Sequence, residues 1–427
     1  MRRLRILLAY LFLFCLCLVE LAGPVAAENW PGWRGPRGDG TSLESGIPIQ
    51  WNGLKQENVA WKVPLPGLGH ASPIVWEDRV FTISCPEETD DRVLLCFDRK
   101  TGQLLWQRVV VHSPLEGKHK LNSHASSTPA TDGRSVFVTF LDRTEMLVAA
   151  YDFAGNQRWL VRPGEFYSKH GYCSSVVLFE NLVILNGDHD GDAYLLGLDR
   201  DTGKTVWKTL RENKTRSYST PIIRRIDGRT QMILSGSLSV ASYDPRDGSR
   251  HWIIDGPTEQ FVASLVYNGE LLFLTAGFPE LHIMAIRPDG HGNVTDTHVV
   301  WHTRKGCSYV PSPIASADGK YFLVVSDDGI ASLFEAATGH RHWMERIGPH
   351  YSASLVSADG LVHFLSDEGV TTIVRPGEEL DVVATSELGE PCYASPAISQ
   401  GQIFLRAEKH LYCIGAGGDQ ERMKDEG

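Results

Sequence analysis

The stretch Tyr194-Leu-Leu-Gly-Leu-Asp199-Arg-Asp-Thr202-Gly203-Lys-Thr-Val-Trp207 decides the fold. Apolar residues run into Asp199, whose carboxylate can accept backbone N–H groups in an Asx turn. Gly203 supplies the positive φ that such a turn needs, and a second strand ends in Trp207. The same hairpin skeleton is full at Asp98…Thr101-Gly102…Trp106 and Glu335…Thr338-Gly339…Trp343. It is degraded but readable at Asp152…Gly155…Trp159 and Asp244…Gly248…Trp252.

Outward from this motif, closing tryptophans stand at Trp61, Trp106, Trp159, Trp207, Trp252, Trp301 and Trp343, spaced 45, 53, 48, 45, 49 and 42 residues apart. A period of this length, built from short runs that alternate at period two, predicts propeller blades rather than a helical solenoid. A second marker, a small-residue or Pro step into a β-rich run, precedes each turn. It falls at Ser72-Pro73, Thr128-Pro129, Ser175-Val176, Thr220-Pro221, Ala263-Ser264, Ser312-Pro313, Ala353-Ser354 and Ser395-Pro396. Small residues suit inner strands crowded around an axis, and Pro is tolerated at a strand's first residue. Eight markers predict an all-β, eight-bladed β-propeller of four-stranded antiparallel blades. Trp61 closes a strand with no blade before it, whereas the last blade, ending near Gly415, lacks a closing strand. The expectation is therefore that Ala60-Trp-Lys-Val63 completes the last blade and fastens the ring. A non-Trp closer is expected near Val382 or Val383.

The 427-residue chain is 42% hydrophobic and 22% charged, an ordinary globular balance. Residues 1–27 read as a signal peptide, with Arg2, Arg3 and Arg5 ahead of an apolar run and Val25-Ala-Ala27 as a small-residue cleavage site, so an exported, periplasmic or secreted protein is expected. Residues 28–59, opening Asn29-Trp-Pro-Gly-Trp33-Arg-Gly-Pro, read as an irregular strap anchored by its tryptophans; 60–415 form the propeller, and 416–427 a disordered polar tail. The formal net charge of −11, without a basic aromatic stripe, argues against nucleic-acid binding. Six cysteines follow the leader with no C-x-x-C spacing. Cys85 and Cys96 lie on adjacent expected strands and either bridge or stay as buried thiols.

With these repeats in view, the chain resembles the PQQ-like (quinoprotein-type) β-propeller superfamily over about Ala60 to Gly415. Two branches of that family matter: quinoprotein dehydrogenases, which use pyrroloquinoline quinone (PQQ) and calcium, and BamB-like propellers of outer-membrane protein assembly, which are scaffolds. The opening Asn29-Trp-Pro-Gly-Trp-Arg-Gly-Pro, with His170-Gly-Tyr-Cys-Ser-Ser-Val-Val and Asn186-Gly-Asp-His-Asp-Gly-Asp192, is most similar to exported bacterial PQQ-like repeat proteins. The chain departs from quinoprotein alcohol dehydrogenases in having no adjacent Cys pair after residue 27, and from BamB-like proteins in lacking an evident lipidation Cys.

In a propeller, the loops between blades and inside each central hairpin open on one face, around the axial funnel. Two residues before each marker stand His70, Ser126, Cys173, Tyr218, Phe261, Val310, Tyr351 and Tyr393, with His124, Tyr172, Arg216, Tyr309 and His350 one or two positions earlier. From these, His70, His124, Tyr172, Arg216, Tyr218, Tyr309, His350, Tyr351 and Tyr393 form the candidate ligand set, able to grip an aromatic or anionic ligand or, alternatively, to plug the channel. Asp188, Asp190 and Asp192 could offer calcium oxygen ligands but lack the distal Glu of an EF-hand, and a solvated hairpin tip explains them as well. His112, His119 and His124 lack zinc spacing. No hydrolase, nucleotide or zincin motif occurs. The sequence thus reads as a monomeric, non-enzymatic binding or scaffold propeller, with no cofactor and a protein segment or small molecule as partner; the alternative is a PQQ- and calcium-dependent alcohol or sugar dehydrogenase.

Overall fold

A computed structural model of the chain describes residues 27–416; all but the last residue of the expected signal peptide and most of the expected tail lie outside them. Among the described residues the only helix is one 3-10 turn at Glu87–Thr89. Everything else regular is strand, in eight sheets. The first blade is Ile74–Trp76, Arg79–Ser84, Asp91–Asp98 and Leu104–His112. The last blade takes Ala397–Ser399, Gln402–Arg406 and His410–Ile414 from one end of the chain and Val59–Pro64 from the other. Trp61 there faces Cys413 in an antiparallel pairing, so the ring is closed as the sequence implied.

Each turn motif does two jobs. Asp199 Oδ1 accepts the Thr202 N–H at 2.9 Å and the Thr202 hydroxyl at 2.6 Å, while Gly203 takes φ +71°. A Cβ on Gly203 would lie 2.7 Å from the Trp159 ring, because the preceding blade's tryptophan packs on this turn. Trp159 Nε1 donates to the Arg200 carbonyl at 3.0 Å. The same reach from one blade to the next turn recurs from Trp61 to Arg99, Trp106 to Phe153, Trp207 to Pro245, Trp301 to Ala336 and Trp343 to Gly377. Trp252 is the exception: it donates to Gln231 of its own blade, and the short strand Gly292–Asn293, inserted from the fifth blade, pairs in parallel beside it. In the seventh blade Ala384 opposes Ile373 as Trp343 opposes Leu333, so the non-Trp closer expected near Val382 or Val383 is Ala384.

The inner strands carry a belt of hydroxyls. The backbone N–H of Ser72 donates to Thr128, Thr128 to Ser175, Ser175 to Thr220, Thr220 to Ser264, Ser264 to Ser312, Ser312 to Ser354, and Ser354 to Ser395, all at 2.9 to 3.3 Å. The belt stops at the junction of the last and first blades, where Ser72 Oγ is buried without a partner among the described residues. It also sets the register of two blades: the residues in line are Ser264 and Ser354, each one position beyond the alanine that opens its marker.

The strap first crosses the face opposite the funnel and then runs along the outer strand of the seventh blade to its funnel end. Trp30 exchanges two backbone hydrogen bonds of 2.9 Å with Val75, Trp51 N–H reaches Ser386 at 3.0 Å, and Asp39 pairs with Arg224 at 3.0 Å. Between these anchors Trp33 Nε1 donates to Ser264 of the belt at 3.1 Å, and the buried Arg34 donates to the Pro313 and Leu355 carbonyls at 2.5 and 3.2 Å. Trp33 and Arg34 thereby close the lower end of the axial channel.

Candidate functional site

Above the belt lies a cavity of about 610 Å³, within the size range of small-ligand sites. Its wall is built by the residue two positions before each belt hydroxyl: His70, Ser126, Cys173, Tyr218, Val262, Val310, Ser352 and Tyr393. Belt hydroxyls and Trp33 form the floor, and Tyr309, His350, His119, His170, Gln260, Phe278 and Asp327 come in from the loops. The repeat dictates where side chains point, while their identities differ from blade to blade.

Of the nine candidate residues, His70, Tyr218, Tyr309, His350 and Tyr393 line this cavity. The His70 and Tyr393 rings meet at 4.8 Å, the Tyr218 hydroxyl shares a 2.9 Å bond with Ser168, and the Tyr309 hydroxyl donates to Gln260 at 3.1 Å. The other four stand elsewhere. Tyr351 is only 1% exposed, in the core between blades, with its hydroxyl on the Ile347 carbonyl, and Phe261 is likewise buried. The belt register, one residue on from the expected one, turns both away from the cavity and puts Val262 and Ser352 in their places. Tyr172 packs edge-on against Phe166 in another core. His124 is tied to Glu87 at 3.0 Å and to the Glu116 carbonyl at 2.9 Å, pinning the inserted loop instead of facing the cavity. Arg216 is engaged by Asp190 at 2.6 Å.

The aspartate cluster is divided among three cations. Asp188 is buried against Arg211 at 2.9 Å, Asp190 meets Arg216, and Asp192 meets Lys214 at 2.6 Å. Burial nonetheless raises the Asp188 carboxyl above its usual range, against the pull of Arg211. Calcium needs six to eight oxygen ligands. Among the described residues no group of three or more His, Cys, Asp or Glu converges, and the carboxylates nearest the cavity already accept protein donors. The donor set therefore does not fit a calcium-dependent quinone site. Cys85 and Cys96 are separate buried thiols, each pushed up to about 12 by burial. Cys173 in the cavity wall is pushed up to about 12 for the same reason, which keeps it protonated and poorly nucleophilic at neutral pH.

The sequence reading overlooked two carboxylates. Asp327 lines the cavity and accepts the Tyr309 and Val310 backbone N–H groups at 2.9 and 3.1 Å. Asp367, one blade on, receives His350 Nδ1 and, at 3.1 Å, the Ser352 hydroxyl. Burial raises both carboxyls, with those hydrogen bonds opposing it. The signal was present as Ser326-Asp327-Asp-Gly329 and Ser366-Asp367-Glu-Gly369, hairpin tips in register on successive blades.

Eight four-stranded blades with a funnel cavity define a quinoprotein-type propeller. The family model described as outer membrane protein assembly factor BamB matches residues 90–343, more than half of the chain, and the chain belongs to this PQQ-like, BamB-related family. No curated protein matches it in sequence. Among solved structures, BamB from Moraxella catarrhalis superposes with a TM-score of 0.56 at 12% identity, covering 84% of this chain and 98% of that one. A europium-containing methanol dehydrogenase gives 0.66 at 10%, covering 92% and 99%, and the quinohemoprotein alcohol dehydrogenase from Comamonas testosteroni 0.64 at 11%, covering 93% and 82%. At these identities the likeness is one of fold, shared by an outer membrane protein assembly factor and by dehydrogenases.

Proposed function

We propose that this protein is an exported, non-enzymatic propeller that binds a protein segment or small molecule in its funnel. One observation carries the reading: the repeated positions of the inner strands are used for the belt, whereas the positions immediately above them diverge into a mostly apolar cavity set with a few polar groups. Divergence on a rigid scaffold is how repeat folds present a binding face. Export is supported by the basic, apolar and small-residue pattern of residues 1–27. The dehydrogenase alternative is weakened by the dispersed carboxylates and by the absence of an adjacent cysteine pair after residue 27. No helix among the described residues is long and apolar enough to cross a membrane.

The test has two arms. Titration of the purified protein with PQQ and calcium is expected to leave its absorbance and melting temperature unchanged; stoichiometric binding with dye-linked alcohol or sugar oxidation overturns the non-enzymatic assignment. In the second arm Val310→Trp fills the cavity from its wall. It is expected to abolish the binding of fragments detected by ligand-observed NMR on the wild-type protein, with the melting temperature held.

A further inference from the structure

The charge arrangement of the funnel selects the kind of ligand, given that the funnel is the binding face. Its buried cations, Arg34 and Arg406, are spent on carbonyl and hydroxyl oxygens and stand outside the cavity lining. Arg216, the guanidinium that could have received an anion, is paired with Asp190 and does not line the cavity, though its charge still reaches Tyr218 and Tyr309. Lys169 does line it, but from the exposed rim, where water and salt screen its charge. At the Ser326–Gly329 hairpin tip the sign reverses. The Asp327 side chain is mostly withdrawn from solvent, accepts only backbone N–H groups, and makes no ion pair with any described residue. The charge of His350 acts on it, and His350 is held through Nδ1 by Asp367. Asp367 is itself nine-tenths buried, and its Oδ1 has no hydrogen-bond partner. Two carboxylates therefore stand at this side of the cavity with at most one imidazole to balance them. A buried carboxylate without a counter-ion is costly, and a cation is what relieves it.

The neighbouring surface suits an organic cation better than a metal ion. Tyr309, whose N–H binds Asp327, and the Tyr393–His70 pair bring aromatic rings to the cavity, alongside Phe278. Ring faces attract ammonium groups, and their apolar area accepts the carbon skeleton. A divalent ion would find too few free oxygens here. We propose that the funnel binds an organic ammonium ligand with an apolar or aromatic body, and that Asp327 is its counter-ion.

Three probes of one size test this on the intact protein: 2-phenylethylammonium, neutral 2-phenylethanol and anionic phenylacetate, followed by calorimetry and by the fluorescence of Trp33 in the cavity floor. The ammonium is expected to bind at least about tenfold more tightly than either of the others. That preference should vanish in Asp327→Asn and persist in Lys169→Gln. Equal or tighter binding of phenylacetate, or a preference that survives Asp327→Asn, overturns the inference while leaving the funnel as a binding face. Failure of all three probes to bind overturns both. Because the charge series is read first on the wild-type protein, it decides the matter even if Asp327→Asn folds poorly.

Discussion

A single hydroxyl does most for this ring where a neighbour's backbone depends on it. Ser312 Oγ accepts the buried N–H of Ser264 at 2.9 Å, so Ser312→Ala strands that donor and is expected to cost about 1–3 kcal/mol in denaturant unfolding. Ser72 occupies the same place in the first blade, yet its Oγ has no partner. Ser72→Ala should therefore fall within about 0.5 kcal/mol of wild type, and equal losses at the two sites would show that the belt adds nothing. Histidine burial adds a pH dependence. His363, 2% exposed in the seventh blade, is pushed down to about 4 by burial, against an unfolded value of 6.5. The unfolded chain thus takes up the proton first as pH falls. The contribution is intact above about pH 6.5 and is lost progressively down to about pH 4, amounting to about 3 kcal/mol. His363→Gln should flatten the slope of stability against pH in that window; an unchanged slope would assign the pH dependence to other groups.

At the scale of the hairpin, the glycine of each turn has two reasons to be there. Its φ is positive, and the previous blade's tryptophan occupies the space a side chain would need. Gly203→Ala is accordingly expected to destabilise by at least about 2 kcal/mol, beyond what a helix-type or surface Gly→Ala change costs. Gly228 offers the internal comparison: φ is +78° there, but nothing lies within 4 Å of the added Cβ. If melting temperatures of the two alanine variants coincide, the Trp159 contact is not what makes Gly203 necessary. The turn motif was legible because strand alternation, Asx capping and glycine are local requirements. Its partner was not, since the Asp-x-x-Thr-Gly pattern says that a tryptophan follows in its own blade but not that another arrives from the preceding one.

For the whole molecule, the N-terminal segment serves twice, as the strand that closes the ring and as the strap beneath it. Deleting residues 28–52 keeps the closing strand Val59–Pro64 but removes Trp30 and Trp51, each buried, and Trp33 from the cavity floor. Losing a buried aromatic side chain costs about 3–5 kcal/mol. A marked fall in melting temperature is expected, with the β-type circular dichroism spectrum retained at low temperature. Retention of the wild-type melting temperature would mean that the strap merely rests on the propeller.

Blade number, ring closure and the direction of the funnel were determined by the sequence itself, because they follow from a repeat whose period and turn chemistry are local. Only the tertiary structure decided which residues meet in the funnel. At Ala263-Ser264 and Ala353-Ser354 two small residues stand side by side, and nothing in the chain says which one faces the axis; the belt hydrogen bonds select the serine and so send Phe261 and Tyr351 into the core. Likewise Arg216 and Asp190 lie 26 residues apart and pair with each other, while Asp327, unremarkable in its hairpin tip, is left without an ion-pair partner beside the cavity. Charge balance is a sum over contacts between blades, and it exists only once the ring has closed.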